Sequence, residues 1–214
     1  MKTSLSFQPD CRRCPRLAQY LDEVKSAYPD YHARPVPAFG ADQARFLIIG
    51  LAPGLHGANR TGRPFTGDFA GILFYRTLYK FAFASCSESI APDDGLTLSD
   101  CRITNSVKCL PPENKPDTSE IRECNNYLKA ELAEFMEQGG KAVLALGNIA
   151  HRATLMALGI KLAVFPFKHG AAHQISNNLR LYDSYHCSRY NTQTRRLTTE
   201  MFEQVFARIR EDLA

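Results

Sequence analysis

The residues able to do chemistry in this 214-residue chain fall into four stretches, the first of them a set of cysteines. Cys11 and Cys14 form a C-x-x-C, and Cys109 and Cys124 stand on a second segment with fourteen residues between them. Two thiolate pairs brought together by a fold make a tetrahedral sulfur set, which selects zinc or an iron–sulfur cluster; ordinary core thiols are the competing reading. Cys86 and Cys101 lie in apolar stretches and read as small core residues, and Cys187 is a thiol beside His186. The cysteine count is odd, and the first residues lack the apolar run of an export signal. The expectation is a cytoplasmic protein whose thiols bind metal or pack in the core.

The second stretch, GLAPGLHGANRTGRPFTGD at residues 50–68, holds five glycines. It has neither the Gly-Lys-Ser/Thr of a phosphate loop nor the G-x-G-x-x-G of a dinucleotide site. Its glycines let backbone come close to a ligand, and Phe65 and Asp68 supply an aromatic platform and a carboxylate three residues apart. The alternative is a long surface loop with Phe65 tucked into the core. The third stretch, Thr104 to Cys109, puts Asn105 at a strand end, where its amide offers a donor and an acceptor, the pattern that reads the edge of a planar base, or else simply caps a turn. In the fourth, His186 follows a strand, where it could donate to developing negative charge. Ser188, Arg189, Tyr190, Arg195 and Arg196 then mix cations with an aromatic, as loops that track phosphates do; a solvated basic loop is the alternative. Arg60, Arg63, Lys108 and Lys115 extend this positive cluster over the other loops. The net charge of +4 permits a polyanionic partner without requiring one.

The apolar pattern supplies elements to position these groups. Strands are predicted at 45–50, 102–107, 141–146 and 179–185. Helices are predicted at 11–27, 70–85, 117–139 and 148–158, and from 198 or 199 to the C-terminus. Residues 34–40, with two prolines, read as an extended connection. Asp117 and Glu120 have capping-box spacing, and Gly139-Gly140 closes that helix. Strands alternating with helices imply an α/β fold: one three-layer α/β/α domain over residues 1–214 around a mostly parallel sheet. Ligands of such sheets bind beyond the carboxyl ends of the strands, where loops 51–68, 105–116 and 186–196 fall. With 44% hydrophobic and 22% charged residues the chain is neither disordered nor a coiled coil, and its longest apolar stretch is too short to span a bilayer.

Read together, C-R-R-C-P, GLAPGLHGANRTGRPFTGD, ITNSVKCLPPENKP, Cys124 and YHCSRYNTQTRRLT resemble the uracil-DNA glycosylase superfamily, most closely its family 5, the bacterial and archaeal iron–sulfur members. The resemblance implies a DNA repair enzyme, expected to work as a monomer, that releases uracil and other deaminated bases such as hypoxanthine and leaves an abasic site. It implies a [4Fe–4S] cluster on Cys11, Cys14, Cys109 and Cys124. It also implies base stacking on Phe65, edge recognition by Asn105, and a pocket wall from Gly50, Ala52 and Gly54. His186 would face the O2 side of the base. The tetrad G-Q-D-P of the better-known uracil enzymes reads Gly50-Leu51-Ala52-Pro53 here, so Asp68 is implied as the acid in its place. DNA contacts are expected from Arg60, Lys115, Ser188, Arg189 and Arg195. Two departures stand out: His186-Cys187-Ser188 for the family's His-Pro-Ser, and Thr194-Arg195-Arg196 where the family has T-G-R, both bearing on the stiffness of the wedge loop. Two other functions compete. An iron–sulfur electron carrier or sensor would leave loop 50–68 and Asn105 without a purpose. A non-catalytic binder of damaged DNA is opposed by Asp68.

Overall fold

A computed structural model describes residues 7–214, so the expectation about an export signal, which concerns the first six residues, lies outside it. The sheet comprises β1 (Phe39–Gly40), β2 (Phe46–Gly50), β3 (Cys101–Asn105), β4 (Ala142–Leu146), β5 (Ala172–Ser176) and β6 (Leu179–Ser184), in the order β1-β3-β2-β4-β6-β5. The four inner strands are parallel, and β1 and β5 close the two edges antiparallel. Both faces of the inner strands are covered, so β2 and β4 are buried at every residue and read as unbroken apolar runs.

Among the described residues seven α-helices accompany the sheet: α1 (Pro15–Ala27), α2 (Ala58–Thr61), α3 (Phe69–Lys80), α4 (Thr118–Glu137), α5 (Asn148–Ala157), α6 (Arg189–Gln193) and α7 (Thr199–Leu213). Because successive strand residues point to opposite faces, Phe46 and Ile48 meet α3 and α7 through Phe74, Leu78, Phe202 and Phe206. Leu47 and Ile49 meet α4 and α5 through Leu128, Leu132, Ala150 and Ala153. The three layers are those expected. Register sets Gly50 opposite Asn105 and Leu146 opposite Ser184, so the carboxyl ends of the inner strands finish level along one edge.

Several boundaries differ from the sequence reading. The first helix starts at Pro15 rather than at residue 11, since proline favours the first helical position and Cys14 is extended ahead of it. The C-x-x-C thus lies ahead of the helix in irregular backbone. The helix expected at 70–85 stops at Lys80, and the chain returns through an isolated bridge between Ala84 and Leu98. Residues 34–40 end in β1, and β5 was unforeseen: Ala-His-Gln-Ile-Ser is a half-exposed edge strand without a continuous apolar run. In α4 the expected Glu120 contact is present, its carboxylate accepting from the Asp117 N–H at 2.7 Å.

Candidate active site

A cleft of about 530 Å³ opens at the carboxyl edge of the sheet, lined by Ala52, Gly54, His56, Phe65, Asp68, Phe69, Asn105, Asn114, His186, Ser188 and Arg189 among others. The three loops therefore converge. Asn105 ends β3, and although the residue is buried its side chain lines the cleft, where the amide can meet a ligand. Gly50 does not line the cleft; it makes room for it. A Cβ there would lie 2.4 Å from Asn105 Oδ1 and 3.0 Å from Phe65 Cζ, so only glycine lets both side chains sit where they do.

Phe65 adopts φ +58°, a left-handed conformation that costs a phenylalanine about 1–3 kcal/mol. The surroundings hold it there. Its ring stacks on Phe74 at 4.3 Å, and the Tyr75 hydroxyl donates to the Pro64 carbonyl at 2.7 Å. Arg63 is buried beneath the loop. Its guanidinium donates to Thr66 Oγ1 at 2.8 Å and to Ser89 Oγ at 2.7 Å, and pairs with Asp94 at 2.6 Å. The carbonyls of Ala91 and Pro92 complete its shell. This ties the loop to residues 89–94 and removes Arg63 from the DNA-facing cations. Lys108 drops out of that cluster as well: its ammonium is turned inward to Glu131 at 2.7 Å and to Thr104.

Asp68 precedes α3 and faces the turn of α2. One carboxylate oxygen accepts from the Ala58 N–H at 3.4 Å. A Cβ on Gly57 would fall 1.9 Å from Asp68 Cγ, and one on Gly54 would lie 2.8 Å from Oδ1, so two glycines form the seat of this acid. Burial raises the Asp68 pKa, opposed by the Ala58 N–H, Arg60 and His56, which favour the charged form. His186 stands across the cleft with its ring 5.9 Å from that of Phe65. Burial pushes its pKa down to about 4, so the imidazole is neutral at pH 7 and offers an N–H without carrying charge.

The loop after His186 keeps its form without the family's proline. Asn191 Nδ2 donates to the His186 carbonyl at 2.8 Å, and Ser188 Oγ caps α6 by accepting from the Asn191 N–H. Cys187 is fully buried, its thiol pushed up to about 12 by burial. Arg195 has φ +57°, the conformation suited to the glycine it replaces. Arg60, Lys115 and Arg195 are exposed but lie outside the cleft lining, whereas Ser188 and Arg189 are part of it.

Beneath this loop, β6 is anchored by a polar trio in which Asp183 and His151 are buried and His173 half-buried. Asp183 accepts from His151 Nδ1 at 2.7 Å and from His173 Nε2 at 3.0 Å, and His151 Nε2 donates to the Phe165 carbonyl. Burial pulls the His151 pKa down, but the carboxylate and carbonyl outweigh it and hold it above the ordinary histidine value.

The other predicted site also assembles. Cys11, Cys14, Cys109 and Cys124 line one small cavity with Leu17, Val107 and Tyr127. Ion pairs of Arg16 with Glu120 at 2.7 Å and Arg13 with Glu123 at 2.8 Å clamp the start of α1 onto α4, bringing the C-x-x-C to Cys124. The thiols crowd one another. Burial, then Cys124, Glu120 and Cys11, push Cys14 up to about 11, and Cys109 is raised by burial and by the other three cysteines. The Lys108 backbone N–H donates to Cys124 Sγ at 3.2 Å, and the Tyr127 hydroxyl is buried without a partner. A soft cation would discharge this donor set, so the residues fit a thiolate-ligated metal group. Among the described residues the trio of ligand atoms all within 4.8 Å is His151, His173 and Asp183, so the sulfurs are spread more widely. One zinc with bonds of about 2.3 Å needs sulfurs about 3.8 Å apart. Of the two cysteines read as core residues, Cys101 is buried but Cys86 is exposed, beyond the end of α3.

Residues the sequence reading left unassigned also reach the cleft: His56, bonded to the Tyr31 hydroxyl at 2.9 Å, with Phe69 and Asn114. His56 and Asn114 had no signal beyond membership of the long loops, and Phe69, which opens α3, had none beyond following the first of them. Gly57 gave none beyond composition.

The cleft joins an aromatic ring, a carboxylate, an amide and an imidazole at the carboxyl edge of a three-layer α/β fold, and comparison with known proteins supplies the class. The family model of the uracil DNA glycosylase superfamily matches residues 37–210, and the chain belongs to that superfamily. Its similarity is strong to type-5 members. The type-5 uracil-DNA glycosylase of Thermus thermophilus is 46% identical over 200 residues, covering 91% of this chain and 90% of that protein. That of Pyrobaculum aerophilum is 40% identical over 207 residues, covering 95% and 89%. A type-4 uracil-DNA glycosylase of Sulfurisphaera tokodaii is 25% identical over 181 residues, covering 82% and 74%.

Proposed function

We propose that this protein is a DNA repair glycosylase that hydrolyses the N-glycosidic bond of uracil, and of other deaminated bases such as hypoxanthine, leaving an abasic site. The observation that carries the reading is the meeting of Phe65, Asp68, Asn105 and His186 in one cleft. A base inside a duplex is out of reach, so the nucleotide flips at a cost of a few kcal/mol, least for a mispaired base. Phe65 stacks on it, which returns about 1–3 kcal/mol, and Asn105 reads its edge. As the C1′–N bond breaks, its electron pair leaves with the base and positive charge grows on the sugar. The neutral His186 donates to the developing charge on the base, a contact worth about 2.7–4 kcal/mol. Asp68 faces the sugar cation and orients the water whose oxygen bonds C1′; the water gives up one proton, and the departing base takes one from solvent. Among the described residues no lysine lines the cleft, which supports a monofunctional enzyme over one that forms a Schiff base.

In this reading Cys11, Cys14, Cys109 and Cys124 hold a [4Fe–4S] cluster, and their wide spacing favours it over a single zinc. The cluster supplies no reaction step; it pins α1 to the segment behind Asn105. Arg60, Lys115, Arg189 and Arg195 contact DNA phosphates. The enzyme works as a single chain in the cytoplasm, and no helix among the described residues is long and apolar enough to cross a membrane. Incubating the purified protein with a uracil-containing duplex tests the reading: released uracil and an intact abasic strand are expected, and strand cleavage or no release would contradict it. Metal analysis should find about four irons per chain. Stoichiometric zinc without iron would overturn the cluster.

A further inference from the structure

A second groove of about 490 Å³ runs beside the base cleft and shares Asp68, Phe69 and Arg189 with it. One wall is the first turn of α3, with Gly67, Gly71 and Ile72; the other is Glu88, Ser89 and Ile90. Ile72 and Ile90 both line it with 62% and 68% of their surface exposed, and neither belongs to the core. Phe69 is also exposed, and the Arg189 guanidinium lies over its ring at 4.8 Å. Arg189 therefore marks the boundary between the two cavities. On the far side of Asp68, Arg60 lies against Gly67, where a Cβ would come within 2.5 Å of its guanidinium. The walls are fixed. The Gly67 N–H donates to the Ser89 carbonyl at 3.0 Å, and the buried Arg63 ties both sides together through Thr66 and Ser89.

An apolar slot that continues from a base-binding cleft across an arginine has the layout of two adjacent nucleotides: a base on each side and a phosphate between. We propose that this groove receives the base of the nucleotide next to the flipped one on the same strand, held between Ile72 and Ile90 while Arg189 engages the phosphate that joins them. This rests on the glycosylase reading and goes beyond it. Flipping would involve two nucleotides, the second unstacked to occupy the groove. The Ile72 and Ile90 side chains offer no hydrogen bond to select a base, and Ser89 Oγ is already engaged by Arg63 and Thr66, which leaves exposed Glu88 as the polar side chain of that wall; contact between the isoleucines is therefore of the stacking type.

The test is a binding measurement on an uncleavable duplex carrying a reduced abasic analogue, with a fluorescent aminopurine placed either beside the lesion on its own strand or opposite it. Binding of the parent protein should brighten the adjacent aminopurine as it leaves the helix stack. The double variant Ile72→Ser/Ile90→Ser, both positions being exposed, should fold normally, lose that signal and bind about 5- to 10-fold more weakly. It should still release uracil when enzyme is saturating. No change from the adjacent probe with the parent, or the full change retained in the double variant, overturns the proposal. A signal only from the opposite strand overturns it too, and assigns the groove to the orphaned base. Uracil release by a parent protein that leaves the adjacent probe silent would refute the groove alone. A parent that neither binds the abasic duplex nor releases uracil would refute the glycosylase reading and this proposal together.

Discussion

Loop 51–68 and loop 186–196 each deliver one reacting side chain to the cleft, Asp68 and His186, but they are held by different forces. The first rests on a buried arginine with an ion pair and side-chain and carbonyl contacts, and on a stacked pair of phenylalanines. The second is anchored at its ends by Cys187 and Leu197, both buried, while Arg189, Tyr190, Arg195 and Arg196 between them are exposed. Its internal bonds are short-range caps such as Asn191 to His186. The difference follows from what each loop must do. A carboxylate seated beside glycines works only at fixed geometry, whereas a loop that meets DNA must adapt to the backbone it touches.

Removing the stronger support should give the largest effect. Arg63→Ala leaves Asp94, Thr66 and Ser89 without their partner in a buried place and is expected to cost about 3–5 kcal/mol in denaturant unfolding. Asn191→Ala, the matching cut in the second loop, should cost about 0.5–1.5 kcal/mol. Equal costs would erase the contrast.

Chemistry should show no such contrast, because both loops are necessary. Asp68→Asn is expected to keep the fold and DNA affinity while slowing single-turnover uracil release by about 10²-fold or more. His186→Ala should slow it comparably. Release at the parent rate by Asp68→Asn would leave Asp68 as a loop-seating residue only, with His186 carrying the chemistry.

The two groups also differ in the direction of their pKa shifts. Asp68 must be charged and is raised by burial; His186 must be neutral and is lowered to about 4. Protonating Asp68 switches the reaction off as pH falls, and His186 stays neutral throughout the range in which an exposed histidine titrates. The single-turnover rate should therefore have an acid limb that disappears in Asp68→Asn, and no step near the ordinary histidine value of about 6.5. A step there that vanishes in His186→Ala would mean the imidazolium takes part.

The sheet and the convergence of the loops were legible because inner parallel strands such as FLIIG and AVLAL have no polar alternation and because ligands gather at strand ends. Phe65, Asp68, Asn105 and His186 were visible for the same reason: each sits at or just beyond a strand or loop end. What escaped depended on pairing across the chain. Arg63 and Lys108 looked like DNA-facing cations because Asp94 and Glu131, their partners, are 31 and 23 residues away and carry no local signal. The Asp183 trio joins α5, β5 and β6, and β5 was itself invisible, being a short edge strand. Gly57 was one glycine among five until the Asp68 carboxylate was seen resting against it.

The smallest expected effect lies in the second loop and isolates strain from charge. Arg195 holds φ +57°, where the family pattern has glycine. Left-handed backbone costs a residue with a Cβ about 1–2 kcal/mol, whereas glycine adopts it freely but gives up about 0.5–1 kcal/mol through its more flexible unfolded chain. Arg195→Gly should thus gain roughly 0.5–1 kcal/mol at most in denaturant unfolding, while the lost cation lowers the slope of log affinity against log salt by about one. Arg195→Ala separates the two terms, since alanine removes the charge and keeps the Cβ: the salt slope should fall equally with no gain in stability. If the two variants are equally stable, the loop bears no strain at this position, and its form follows from the anchors at Cys187 and Leu197 alone. A salt slope unchanged in both would place Arg195 away from the phosphates, leaving Arg189 as the contact that loop makes with the backbone.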